Sequence, residues 1–218
     1  MTNYTITITE ARELFRAAYN NRYTWDRNFP GYTADVIYQR KDKIFTGKVR
    51  VNQNLSAEVL NVDELEIKKE LHHQLWEIAI HRIRRAFEDT HGQNTFTYGG
   101  IDDTGAVELL VGGKSEGNSY KVRNNEVCYV RRHIHSVVVT INTFSSHNTG
   151  EGYLSHRYDS VYHNSKTGEL KGETNSFEDN YEKVGKYYIL ASRIIQTKEQ
   201  KQITTEVFNF SNIQLLSV

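Results

Sequence analysis

The segment DELEIKKELHHQLWEIAIHRIRRAFEDT, residues 63–90, decides how the rest of the 218-residue chain is read. It is the one long run with helical periodicity, and His91-Gly92 stop it. At about 1.5 Å per residue it would span about 40 Å. On a wheel at about 100° per residue, Ile67, Leu71, Leu75, Trp76, Ile78, Ala79, Ile80, Ile83, Ala86 and Phe87 cover an arc of about 220°. A surface helix needs a narrower stripe, so this one is expected to pack on more than one side. Two polar residues, His72 and Arg82, fall inside the apolar arc. His73, Glu77, His81 and Arg84 fall outside it, on the wet side.

The flanks of this helix differ. Before it, Thr9 to about Tyr23 reads as a shorter helix. Thr7 and Glu10 have capping-box spacing, and Ala11, Leu14, Phe15, Ala18 and Tyr19 make one apolar face. Strands follow near residues 32–40, 44–52 and 55–60. The first alternates well, with Tyr32, Ala34, Val36 and Tyr38 on one face. After Gly92 the chain reads as all β, in short strands at 95–98, 106–111 and 119–123 separated by glycine or asparagine turns. The run from Arg131 to His163 holds five of the nine histidines and reads as two β-rich stretches around the loop His147–Gly152. The last strands are expected near 169–174, 187–197 and 202–210.

Composition narrows the class. Lys+Arg and Asp+Glu stand at 27 each. That balance argues against a general nucleic-acid binder and against a general pull toward anionic membranes. The single cysteine, Cys128, rules out an intrachain disulfide and a cysteine-rich zinc site. The first residues lack a basic region followed by an apolar one, and no apolar run approaches the roughly 20 residues of a membrane helix. A soluble cytoplasmic protein with no integral membrane segment is the expectation. One proline and 14 tyrosines suit long paired strands. No repeat or linker interrupts the chain, so residues 1–218 are expected to form one domain.

Helix, three strands, long helix, then many antiparallel strands is an α+β order. A large antiparallel sheet must close or cover a face. We therefore expect a large curved sheet, a half-barrel, wrapped around the 63–90 helix, with the short N-terminal helix beside it. This order resembles that of the lipoprotein-carrier (LolA-like) fold, and the resemblance implies a concave face that holds acyl chains. A second resemblance rests on Phe15-Arg16-Ala17-Ala18-Tyr19 with Tyr23-Thr24-Trp25, His81–Phe87, Arg132-His133-Ile134-His135 and Gly150–Tyr162. These segments are similar to a family of cyanobacterial and plastid proteins to which no activity is assigned. That resemblance implies a source and no mechanism.

If residues 133–144 form one regular strand, His133, His135, Val137, Val139 and Ile141 share a face, and its apolar majority should turn inward. Leu154, His156, Tyr158, Ser160 and Tyr162 are the matching set on the next strand. His133 and His135 then make half a metal site, which would need His72 or His156 to extend it. Two inert rim histidines are the plainer reading, and no metal or cofactor is implied. His73, Glu77 and His81 follow one helix face, better read as solvated. Arg82 must be paired if buried, either to a sheet carboxylate or to an anionic head group. The glycines match no nucleotide-binding fingerprint.

Three functions fit. The first is a carrier for an amphipathic small molecule (lipid, isoprenoid or pigment), with His72, Arg82, His133, His135, His156 and Tyr158 as the contacts. The second is an enzyme using inward histidines as acid or base. The third is a pocketless scaffold or assembly protein.

Overall fold

A computed structural model gives the fold and describes residues 8–199 and 202–217. In chain order the elements are α1 (Ile8–Asn20), β1 (Gly31–Arg40), β2 (Lys43–Asn52), β3 (Ala57–Leu60), α2 (Leu65–Arg82), α3 (Phe87–His91), β4 (Asn94–Ile101), β5 (Val107–Gly113), β6 (Ser119–Arg123), β7 (Glu126–Ile134), β8 (Val137–Asn148), β9 (Tyr153–Asn164), β10 (Thr174–Val184), β11 (Tyr187–Glu199) and β12 (Gln202–Leu215). The twelve strands belong to one sheet, so the α+β class with a large antiparallel sheet is what the chain forms. Two compact units divide it: Met1–Arg22 with Arg85–Ser176, and Tyr23–Arg84 with Phe177–Val218. Thr7, half of the expected capping box, lies outside the described residues.

In the first unit the strand order is β9-β8-β7-β6-β5-β4. The α1 face predicted from spacing is the buried one: Ala11, Phe15, Ala18 and Tyr19 join Phe87, Phe96, Leu109, Val111, Tyr120 and Val122 in one core. Phe15 sits at its centre, its ring 4.4 Å from Tyr120 and 4.9 Å from Phe96. So α1, with α3, covers this part of the sheet.

In the second unit the order is β3-β2-β1-β12-β11-β10. The alternation expected on β1 holds, with Tyr32, Ala34, Val36 and Tyr38 all buried. Tyr38 faces Phe208 in register and stacks on it at 4.5 Å. The helix of this unit is α2.

The expected single helix over 63–90 is therefore corrected to two. α2 ends at Arg82, Ile83 turns extended, and α3 begins at Phe87. Neither glycine nor proline marks the break. Its cause is a tertiary pairing: the Trp25 amide donates to the Arg82 carbonyl at 2.8 Å, and Trp25 forms a parallel bridge with Ile83. That strand-like capture removes the backbone from helical geometry. The wide apolar arc also has a second explanation, since Trp76, one of its members, faces solvent, 48% exposed. No helix among the described residues is long and apolar enough to cross a membrane.

Candidate functional site

The most concentrated chemistry lies in the second unit, around Arg193. β11 buries Tyr187, Ile189, Leu190, Arg193 and Ile195, and Arg193 shares the phase of Tyr187, Ile189 and Ile195, so an arginine occupies an apolar slot of that alternation. Arg193 faces Phe208 in register and so shares the buried face with Tyr38. A charge there demands partners. Nε and Nη2 donate to the two carboxylate oxygens of Asp179 at 2.8 and 2.7 Å, a bidentate pair. Nη1 donates to Gln74 Oε1 at 2.8 Å and to Glu77 Oε2 at 3.1 Å. These last two residues lie one helical turn apart on α2, so a single guanidinium pins the helix to the sheet. The Phe177 ring lies 5.4 Å from the guanidinium carbon.

Arg82 extends the cluster. Its Nη2 donates to the Tyr181 hydroxyl at 2.9 Å, and its guanidinium lies 5.4 Å from that ring. The Tyr181 hydroxyl in turn points to Asp179 Oδ2 at 3.4 Å. Burial pushes the Tyr181 phenol up to about 12, so it stays protonated. The arginine bonded to a sheet carboxylate is thus Arg193, while Arg82 meets a phenol. The Asp179 and Arg193 side chains are 2% and 4% exposed, but that of Glu77 is 32% exposed, making it the arm within reach of water. Leu71, Leu75 and Ile78 are buried on α2, and Ile189, Ile195 and Phe208 are buried on the sheet face that carries Arg193.

The first unit holds one buried histidine, His91, among Phe15, Tyr19 and Phe87, at ring distances of 5.0, 5.1 and 5.4 Å. Its Nδ1 is 3.0 Å from Asn94 Nδ2. Burial, then Arg132, Arg22 and Arg12, lowers its pKa from 6.5 to about 4. The folded state therefore holds it neutral where the unfolded chain would protonate it. The stability this contributes is complete above pH 6.5 and is lost as pH falls toward 4. The expected loss is up to about 3 kcal/mol. Urea midpoints of wild type and His91→Gln across this range check it. The wild-type midpoint should fall more steeply, and parallel curves would refute the assignment.

The histidine expectations on the central strands are corrected. Residues 133–144 are not one strand: β7 ends at Ile134, His135 takes a left-handed φ of 52°, and β8 starts at Val137. Ile134 pairs with Val137 and His133 with Val138, so odd positions on β7 share a face with even positions on β8. Val130, even-numbered, packs on the α1 core and pairs with Ile141, which leaves His133 on the other face. His133 and His135 are both exposed, and so is His72. His156 and Tyr158 are half-buried on β9. The His156 ring lies 4.4 Å from that of His147, beside two register shifts in the β8–β9 hairpin. Among the described residues no group of three or more His, Cys, Asp or Glu side chains is arranged to hold a metal ion.

By fold, then, this is an α+β protein with one large antiparallel sheet and helices packed on it. The chain belongs to the family described as protein of unknown function DUF3386, whose model matches residues 6–216. No curated protein matches it in sequence. Among solved structures it is similar to a putative outer membrane lipoprotein-sorting protein domain from Vibrio parahaemolyticus, at 9% identity over 97% of this chain and 94% of that one, with a TM-score of 0.41. It is also similar to a LolA superfamily protein from Nitrosomonas europaea, at 9% identity over 95% and 94%, with a TM-score of 0.34.

Proposed function

We propose that the protein binds and carries an amphipathic small molecule, of the lipid, isoprenoid or pigment kind. The observation that carries this reading is the arginine cluster of the second unit together with the apolar side chains buried in that unit. Buried aliphatic side chains lie on α2 and on the sheet face that carries Arg193, and Arg82 bonds the Tyr181 phenol, which in turn reaches Asp179, the partner of Arg193. A ligand carboxylate or phosphate would take the solvent-side place that Glu77 holds on Arg193 and would accept from Arg82. Entry would exchange α2 side chains for ligand carbons. Arg82 keeps its place as a head-group contact, and His156 and Tyr158 stay candidate contacts in the first unit. His72, His133 and His135 face water and do not enter the reading. We keep a cytoplasmic location and a cyanobacterial or plastid source as parts of the proposal.

Arg82→Ala tests it with a fluorescent fatty acid and its methyl ester as probes. Loss of one charged hydrogen bond is worth about 1.5–3 kcal/mol, so affinity for the acid should fall on the order of ten- to a hundredfold. The ester should lose little. Stability should drop by only about 1 kcal/mol, because Arg82 is half-buried and the Tyr181 hydroxyl keeps Asp179 as a partner. Equal losses for acid and ester would remove Arg82 from the head-group site. A scaffold role is the second reading, favoured by the packed α1 core of the first unit.

A further inference from the structure

We infer that the first unit self-associates through the open edge of β4, which pairs antiparallel with β4 of a second copy of this chain. β4 ends the strand order, with β5 on one side and no strand among the described residues on the other. The direction of its backbone groups follows from the residue before it. The Lys114 amide donates to the Gln93 carbonyl at 3.3 Å. Gln93 and Lys114 continue the register that runs from Asn94 with Gly113 to Tyr98 with Leu109. Pairs that exchange bonds recur at every second residue of an antiparallel ladder. Thr95 with Gly112 and Thr97 with Leu110 are therefore the bonded pairs, and Asn94, Phe96 and Tyr98 turn their amides and carbonyls away from β5. Arg12 Nη1 confirms the direction, since it donates to the Asn94 carbonyl at 2.8 Å. The backbone groups of Phe96 and Tyr98 have no partner among the described residues.

A row of open backbone groups of this kind is met by another strand. Three features select a copy of the same strand. Setting Phe96 opposite Tyr98 of the second copy makes two bonded pairs related by a two-fold axis, so four hydrogen bonds satisfy every open group of both residues in both copies. Thr97 then lies on the axis opposite its own copy, and threonine opposite threonine is a favourable cross-strand pair. No residue of β4, Asn94–Ile101, is charged, so nothing in the two strands repels. Edges that stay open in water usually carry a lysine, an inward charge or a proline, and β4 carries none of them. The opposite end of the sheet, β3, has only four residues and includes Glu58.

The side chains beside the edge agree. Tyr98 stands on the α1 face with Phe96 and is 36% exposed, and the pairing sets it against the second copy's Phe96. On the other face Leu110, which pairs with Thr97, is 45% exposed. The register shift after Tyr98 ends the open stretch, so the contact is short and the dimer transient.

Analytical ultracentrifugation of the full chain over a concentration series, with residue-resolved amide exchange on the same samples, tests this. The dimer fraction should rise with concentration, and the Phe96 and Tyr98 amides should exchange more slowly as it does. Thr97→Lys sets like charges opposite each other on the axis and should weaken the dimer on the order of tenfold. Tyr98→Pro removes one outward amide from each copy, leaves the bonded pairs of β4 and β5 in place, and should weaken it on the order of a hundredfold. Thr97 is exposed, so its variant should melt with the wild type. A wild type that stays monomeric at every concentration overturns the proposal, and so does a Thr97→Lys variant that dimerises as the wild type does. A dimer whose Phe96 and Tyr98 amides exchange as fast as those of the monomer puts the contact elsewhere and overturns it too.

Discussion

Asp179→Ala should destabilise the protein by about 3–5 kcal/mol, because it leaves a buried guanidinium without its counter-charge. That is a large part of the roughly 5–15 kcal/mol by which a domain is stable. Arg193 keeps Gln74 and Glu77 in the variant, but Gln74 is neutral and Glu77 is half in water. The bidentate pair with Asp179 is the dry one, with both partners almost fully enclosed. A second arm separates the value of the pair from the cost of breaking it. Asp179→Leu combined with Arg193→Met should recover most of the loss, since replacing a whole buried pair with apolar groups is often neutral. Urea unfolding of wild type, both single variants and the double variant closes the cycle. A loss below about 1 kcal/mol for Asp179→Ala would place the pair among solvated ion pairs and contradict its burial.

Phe15→Ala should cost about 3–5 kcal/mol, through lost transfer energy and the cavity left behind. Five rings surround Phe15: Tyr120, Phe96, His91, Phe87 and Tyr19, at centroid distances of 4.4 to 6.2 Å. They come from α1, α3, β4 and β6, so no single element can relax into the void. Phe15→Leu keeps much of the volume and should cost clearly less. Thermal melts of the two variants check the order. An alanine variant as stable as the leucine variant would mean that the core collapses freely around α1.

Parts of this architecture are legible in the sequence because local pattern and tertiary role agree. The helical spacing Ala11, Phe15, Ala18, Tyr19 marks the face that is buried, and the alternation Tyr32 to Tyr38 marks the covered face of β1. The glycines of the 149–152 loop mark the β8–β9 hairpin, where Gly150 and Gly152 have φ of 82° and 139°. Elsewhere the deciding interaction is distant in sequence. α2 stops because Trp25 pairs with Ile83, and nothing in 63–90 announces it. The turn after Ile134 contains no glycine, and a histidine takes its left-handed position. β10 is missed, with a strand expected at 169–174 instead, because Asn175–Asn180 is nearly all polar. Asp179 escapes notice with it. Arg193 did carry a signal: Tyr187, Ile189, Arg193 and Ile195 keep one phase, so the arginine occupies a core position and needs a carboxylate. Which carboxylate answers it is set by pairing across the sheet.

The carrier reading is tested most directly by native mass spectrometry of the protein purified from its own source, beside a denatured sample of the same preparation. The account predicts a native mass above that of the chain, with the excess lost on denaturation and recovered as an amphipathic molecule with an anionic end. A native mass equal to that of the bare chain in every preparation would contradict the account and leave the scaffold reading in its place.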